Sequence, residues 1–346
     1  MKKVILKDIA QHLGVSTALV SYVLNGHAEE KQVNKETAEK IRKAAKKLHY
    51  LPNQIAQSLK TSKTNTIGLV VADVRYRYST AITSAIESEA TKNNYTVIYG
   101  SSNEDPGKFE ELINVFVNRR VDGLILVPVE NSQRQIRLLQ KADIPFILID
   151  RVFPEIKTNF MALDNHKAAY QATEYLIRTG HKRIAMVNYK TSLYNLQERN
   201  RGYSSALKDG KIKIDRAHIH EISRANAMEE VSSSIDNILD PAQPCDAIFF
   251  ATATLALHGL SYLNEKGIRV PDDISVYSFD ESEAFRLFYC PMTYSRQPYV
   301  EMGTRAVESL IGLIKHHKGV DRQITFDAEL INGNSCNERR LVRQAQ

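Results

Sequence analysis

Leu6-Lys7-Asp8-Ile9-Ala10-Gln11-His12-Leu13-Gly14-Val15-Ser16-Thr17-Ala18-Leu19-Val20-Ser21-Tyr22-Val23-Leu24-Asn25-Gly26 is the stretch from which the rest of the chain is read. Leu6, Ile9, Ala10 and Leu13 recur at i, i+3, i+4 and i+7, one apolar helical face. Gly14 ends that helix, because a residue without Cβ turns left-handed at little cost. Ser16 then stands where its hydroxyl can accept from the first unpaired N–H groups of a second helix. There Val20, Val23 and Leu24 form the buried stripe. Thr17, Ser21 and Asn25 form a polar stripe, with Ala18 and Tyr22 beside it, and Asn25-Gly26 stops the helix. A third helix starts near Asn34, buries Ala38, Ile41, Ala45 and Leu48, and turns a mostly basic surface to water. Two short helices joined by a glycine-containing turn and followed by a third have the form of a helix-turn-helix DNA reader.

Outward from this head comes Tyr50-Leu51-Pro52-Asn53-Gln54-Ile55-Ala56-Gln57-Ser58-Leu59-Lys60. Pro52 breaks the helical pattern, and Asn53 can cap a two-turn helix carrying Ile55 and Leu59 at i, i+4. Residues 60–66 are a polar linker and the clearest domain boundary. Charge divides at the same place. Residues 1–63 hold twelve Lys/Arg and five Asp/Glu, a local +7, whereas residues 64–346 hold 34 and 35, or −1. A basic head on a near-neutral body predicts a polyanionic partner at one end only.

Beyond the linker, short β-rich runs at 67–72, 95–100, 123–128, 146–150, 183–188, 247–251 and 274–279 alternate with helical stretches at 80–93, 108–119, 133–142, 166–179, 197–209, 227–239 and 254–266. Such alternation predicts parallel sheets covered by helices on both faces. A break near residue 160 suggests two α/β lobes, leaving a late helix at 301–316 and strand-like residues 323–330. No apolar run approaches the roughly 18 residues of a membrane span. The N-terminus turns polar at Lys7, short of the about 7–15 apolar residues of a secretory signal, so the expected location is cytoplasmic. Cys245, Cys290 and Cys336 are odd in number and widely spaced, the pattern of reduced thiols rather than of disulfides or a zinc site.

These residues together resemble the lactose-repressor (LacI/GalR) family of bacterial transcription regulators. The likeness rests on Lys7-Asp8-Ile9-Ala10, Gly14-Val15-Ser16-Thr17-Ala18, Val20-Ser21-Tyr22-Val23-Leu24-Asn25-Gly26, Leu48-His49-Tyr50-Leu51-Pro52-Asn53 and Ala56-Gln57-Ser58-Leu59. It continues through Ile67-Gly68-Leu69, Gly180-His181-Lys182-Arg183-Ile184, Pro271-Asp272-Asp273-Ile274-Ser275-Val276, Phe279-Asp280 and Gln297-Pro298. The resemblance implies an all-α helix-turn-helix domain (1–50), a hinge helix and linker (51–66), and an effector-binding and dimerisation core (67–346). The core would be an α/β two-lobed periplasmic-binding-protein-like fold of two parallel, doubly wound sheets. Lobe 1 would span about 67–160 plus 296–320, and lobe 2 about 161–295 plus 321–336. The implied function is a homodimeric repressor whose grip on a pseudo-palindromic double-stranded operator changes when a small effector, a sugar or sugar derivative, binds the core. No cofactor and no metal are implied.

Carried onto matching positions, Thr17, Ala18 and Tyr22 would face base edges, and Ser16, Ser21 and Asn25 would bond phosphates. Tyr22 stands where many members have Arg, so a bidentate guanine contact is lost and a different operator is expected. Leu59 would wedge into the minor groove, with Lys60 beside it. Effector positions map onto Asp150, Arg199, Thr252, Asp280 and Tyr299; a guanidinium fork and a double acceptor suit polyol hydroxyls or a carboxylate. For Asp150, at a strand end, structural capping is the alternative. Arg75-Tyr76-Arg77-Tyr78-Ser79 departs from the family's usual stretch, and Ala253 from its usual polar residue. Either the effector is more anionic than a plain sugar, with Arg75 or Arg77 answering its charge, or the pocket has decayed; Tyr78, in the same stretch, counts with Arg75 among the effector positions.

An enzyme is the first rival. Yet the fifteen glycines contain no Gly-x-Gly-x-x-Gly and no phosphate loop, and neither His-Glu-x-x-His nor Gly-x-Ser-x-Gly occurs. A periplasmic-type binding protein without a regulatory role is the second, and the basic head argues against it. After Cys336 the residues to 346 are too few and too polar for a heptad zipper, so a dimer rather than a tetramer is expected.

Overall fold

Helices α1 (Leu6–Leu13), α2 (Thr17–Leu24) and α3 (Lys35–Lys47) form where the apolar spacing places them. In this computed structural model, residues 4–50, 63–316, 323–336 and 338 are described. The chain divides into two compact units, Met1–Thr64 and Asn65–Gln346. In the first, Asp8 accepts the Ile5 N–H at 2.8 Å, Ser16 Oγ accepts the Leu19 N–H at 3.1 Å, and Asn34 Oδ1 accepts the Glu36 N–H at 2.8 Å. Each helix thus starts on a side-chain oxygen that replaces a missing backbone acceptor. Gly14, at φ 66°, turns α1 into α2. Ile9, Val20 and Ile41 interlock at the centre with Val23, Ala38, Ala44 and Ala45 around them. Burying each large side chain contributes roughly 1.5–3 kcal/mol. Residues 51–62, most of the expected hinge helix and linker, lie outside the described part.

The second unit opens with β1 (Thr66–Val71), α4 (Arg77–Lys92), β2 (Thr96–Ser101), α5 (Pro106–Asn118), β3 (Gly123–Leu126), α6 (Gln133–Lys141), β4 (Phe146–Ile149) and β5 (Phe160–Leu163). Then follow α7 (Asn165–Arg178), β6 (Ile184–Tyr189), α8 (Tyr194–Asp209), β7 (Ile219–Ile222), α9 (Ala227–Ile238), β8 (Ala247–Phe250), α10 (Ala253–Glu265), β9 (Ser275–Phe279) and β10 (Thr293–Arg296). Finally α11 (Tyr299–His316), β11 (Gln323–Phe326) and β12 (Glu329–Ile331) return through both lobes. The described strands make two six-stranded sheets, ordered β11-β5-β4-β3-β1-β2 and β12-β10-β9-β8-β6-β7. All neighbours are parallel except β10 and β12. β1, β3, β4, β6, β8 and β9 are almost wholly buried, as strands covered on both faces must be. In the second sheet Met186, Phe249 and Tyr277 belong to one core, and Val187, Ile248, Phe250 and Val276 to another. That is the period-2 alternation of a sheet with two covered faces.

The two-lobed α/β architecture is as expected, but the lobe boundaries differ. Phe160–Leu163 pairs with β4 in the first sheet, so the chain crosses to the second lobe after Leu163 rather than at 160. Residues 323–330 are not one strand of the second lobe. Gln323–Phe326 pairs in parallel with Phe160–Leu163 in the first sheet, and Glu329–Ile331 pairs antiparallel with β10 in the second. The physical reason is edge completion: each sheet takes a short, half-exposed strand from this stretch as its outer member. The chain therefore passes between the lobes three times, near 164, 298 and 328. No described helix is long and apolar enough to cross a membrane. The three cysteines are buried free thiols.

Candidate functional site

The first unit presents α2. Ser16, Thr17, Ala18 and Asn25 are exposed and Ser21 and Tyr22 half-buried, while Val20 and Val23 face the core. Ser16 Oγ accepts at the helix start, and Ser21 Oγ accepts from Asn25 Nδ2 at 3.0 Å. Both hydroxyls keep their own proton for a phosphate oxygen. No acidic residue stands in the first turn of α2, so its positive dipole end is left uncompensated by its own side chains. Leu59 and Lys60 lie outside the described residues.

The second unit holds a cavity of about 190 Å³ between its lobes. Its walls are the residues at or just beyond the carboxyl ends of the central strands: Ala72 after β1, Val127 after β3, Asp150 and Arg151 after β4, Tyr189 in β6, Thr252 after β8 and Asp280 after β9. Open α/β sheets bind ligands at that end, because the loops there can vary without disturbing the ladder. Asp150 and Asp280 sit at φ 68° and 70°, left-handed for residues with a side chain. Such backbone is kept where surrounding structure determines it, here at equivalent turns of the two lobes.

Around Asp280 the polar groups interlock. Arg199, in α8, is buried with its guanidinium 3.5 Å from the Phe279 ring centroid. Its Nε donates to Asn165 Oδ1 at 2.9 Å, its Nη1 to the Ala251 carbonyl at 2.6 Å, and the same Nη1 lies 3.9 Å from Asp280 Oδ2. Gln297 Nε2 donates to Asp280 Oδ1 at 2.6 Å, with the Tyr299 hydroxyl at 3.5 Å. Burial raises the Asp280 carboxyl against the opposing pull of Arg199, Gln297 and Tyr299. Burial likewise raises Asp150 to about 6, although Arg151 and Arg199 favour its charge. Tyr78 packs edge-on against Tyr299, ring centroids 5.4 Å apart.

Five of the eight buried side-chain polar atoms without a hydrogen-bond partner among the described residues belong to this cavity's lining. They are Tyr78 Oη, Gln297 Oε1, Asn195 Oδ1 and the Nε atoms of Arg77 and Arg151. Each such atom costs about 1–3 kcal/mol if nothing bonds it, so their concentration marks a surface built to meet a polar molecule.

Seven of the eight sequence-derived effector positions line the cavity: Arg75, Arg77, Tyr78, Asp150, Arg199, Thr252 and Asp280. Tyr299 stands behind, supporting Asp280 and Tyr78. Thr252 also caps α10, accepting the Leu255 N–H at 3.3 Å. Arg75 is largely committed elsewhere: its guanidinium clamps the buried Asp73 carboxylate at 2.6–3.1 Å and is otherwise 81% exposed. Arg77 lies 3.7 Å from both Glu281 and Glu283 of the opposite lobe. Sequence reasoning passed over Arg151 and Glu104, whose bidentate pair has both bonds at 2.7 Å, and Arg224, which reaches from the second lobe to Glu104 at 3.5 Å. Arg151 carried a signal, adjacency to Asp150 at a strand end; Glu104 and Arg224 stand in polar loops without pattern.

The profile described as "Bacterial regulatory proteins, lacI family" matches residues 5–53, and that of the periplasmic binding protein-like domain matches residues 173–336. The HTH-type transcriptional repressor PurR of Vibrio atlanticus (strain LGP32) is 32% identical over 328 residues, 94% of this chain and 96% of that protein. The ribose operon repressor of Haemophilus influenzae (strain ATCC 51907 / DSM 11121 / KW20 / Rd) is 29% identical, covering 90% and 92%. Among solved structures, the lac repressor dimer bound to operator and the anti-inducer ONPF superposes with TM-score 0.85 at 23% identity, covering 97% of this chain and all of that one. The transcriptional regulator CelR–cellobiose complex gives 0.71 at 25% identity, covering 96% and 100%.

Proposed function

The chain belongs to the lacI family of bacterial regulatory proteins, and on that premise we propose that it is a sequence-specific transcriptional repressor, not an enzyme. It would bind a pseudo-palindromic operator as a homodimer and change its affinity when a small polar effector, a sugar or sugar derivative, occupies the cleft. The observation that carries this reading is the pairing in one chain of an exposed, acid-free reading helix with a cleft rich in polar atoms that have no hydrogen-bond partner among the described residues. Thr17, Ala18 and Tyr22 would meet base edges and Ser16, Ser21 and Asn25 phosphates, with Leu59 and Lys60 at the operator centre. Arg199, Asp280, Asp150, Thr252 and Tyr78 would meet the effector, with Tyr299 behind them and Arg75 at the rim. Such a protein works where the chromosome is, in the cytoplasm.

Selection of bound sequences from random double-stranded DNA tests the reading, repeated with and without candidate sugars. A two-fold-related motif whose recovery changes with a sugar is expected. Failure to enrich any such motif would remove the central claim.

A further inference from the structure

Arg224 is a cleft cation with donors to spare. It lies in segment 223–226 between β7 and α9, and its guanidinium carbon sits over the Tyr189 ring, 4.2 Å from the centroid, a cation–π contact. Among the described residues it makes one hydrogen bond, Nη1 to Tyr76 Oη at 3.1 Å, and one ion pair, the same Nη1 to Glu104 Oε1 at 3.5 Å. Nε and Nη2 take part in neither. The carboxylates nearby are engaged elsewhere. Glu104 gives both oxygens to Arg151 at 2.7 Å, Asp73 is clamped by Arg75, and Glu130 accepts from Thr191 and from the Ser192 N–H. Tyr76 accepts from Arg224 and keeps its own O–H to give. Asp150 and Asp280, in the same cavity, offer acceptors instead.

We propose that Arg224 and Tyr76 form an oxyanion subsite, so that the effector is a small polyhydroxylated molecule carrying one carboxylate or phosphate group, its hydroxyls directed to Asp150 and Asp280. The inference rests on the effector reading of the cleft and moves the anion-binding role from Arg75 and Arg77 to Arg224. A guanidinium fork matches the paired oxygens of a carboxylate or phosphate, which a single hydroxyl cannot do. Arg224 comes from the second lobe and Tyr76 from the first, so an oxyanion between them also ties the lobes together.

Isothermal titration of the full chain with inorganic phosphate, and separately with acetate, at constant ionic strength tests this. Saturable phosphate binding is expected for the unaltered chain. It should be at least about tenfold weaker in Arg224→Gln and weakened less in Arg224→Lys, which keeps charge without the fork. All these chains share the same basic head, so differences among them report on the cleft. Acetate preferred over phosphate would assign a carboxylate, and the reverse a phosphate. Equal phosphate affinity with and without the Arg224 side chain overturns the proposal, as does absence of saturable binding. Should Arg224→Gln fail to fold, Arg224→Lys decides, equality with the original chain being the refuting result. The outcome is separable from the regulator reading: a two-fold DNA motif recovered alongside an indifferent Arg224 refutes the subsite alone.

Discussion

Asp150 shows how a single buried carboxyl links the cleft to stability. Its ordinary value is 3.8 and its folded value about 6, so the folded chain holds this proton more tightly than the unfolded one. The group costs nothing below about pH 4, stability falls as pH rises from there to about 6, and above that the full penalty, on the order of 2–3 kcal/mol, is in force. Asp150→Asn is therefore expected to raise the melting temperature by several degrees at pH 7.5 and about half as much at pH 5, read by differential scanning calorimetry. Arg151 predicts the opposite sign. It is 8% exposed and its partner Glu104 14%. Arg151→Ala leaves that carboxylate buried without its fork and should cost about 3–5 kcal/mol in urea unfolding, whereas removing both charges together should cost much less. Arg199 and Asp280 were legible from the sequence because recognisable neighbours, Gly202-Tyr203 and Phe279, surround them. Arg224 was not, since its importance lies in which other carboxylates are already bonded, a fact only three dimensions contain.

At the level of elements, the reading helix and the closest helix pair make separate claims. Tyr22 is half-buried on the exposed side of α2. Tyr22→Arg should leave the fold intact and add a guanine preference at one position of each selected half-site, worth about 1–3 kcal/mol of discrimination. Gly202 in α8 sets how near α7 can come: a Cβ there would stand 2.2 Å from the His166 carbonyl oxygen and 2.9 Å from the Tyr170 nitrogen. Both neighbours are backbone, so Gly202→Ala has to push the helices apart and should destabilise by about 1–3 kcal/mol in urea unfolding. Most strands that pattern revealed are central ones, such as Ile67-Gly68-Leu69-Val70-Val71, where cover on both faces leaves an apolar run, the edge strand β2 being the exception. Those it missed, β5, β7 and β10, are short and lie at a sheet edge or next to one. Ile219-His220-Glu221-Ile222 and Thr293-Tyr294-Ser295-Arg296 carry polar residues because one side or one edge is less covered. Residues 323–330 read as one strand because nothing local reports that the chain changes sheets within them.

Across the whole molecule, the division of charge at residue 63 predicts how binding responds to salt. With a +7 head and a −1 body, DNA affinity comes largely from phosphate contacts and counterion release. Raising salt from about 50 to 200 mM should weaken binding to the selected site by roughly 10²-fold or more, measured by fluorescence anisotropy, while phosphate affinity in the cleft changes far less. The three passages of chain between the lobes carry a different consequence, for the order in which the protein is made. Each sheet takes its outermost strand on one side from the same short stretch, β11 for the first and β12 for the second. A ribosome delivers the three-helix head early, with its core of Ile9, Val20 and Ile41 complete. Both effector lobes must wait for residues 323–331 to emerge before either edge closes. A nascent chain is thus equipped to touch DNA well before it can hear the signal that is meant to govern it.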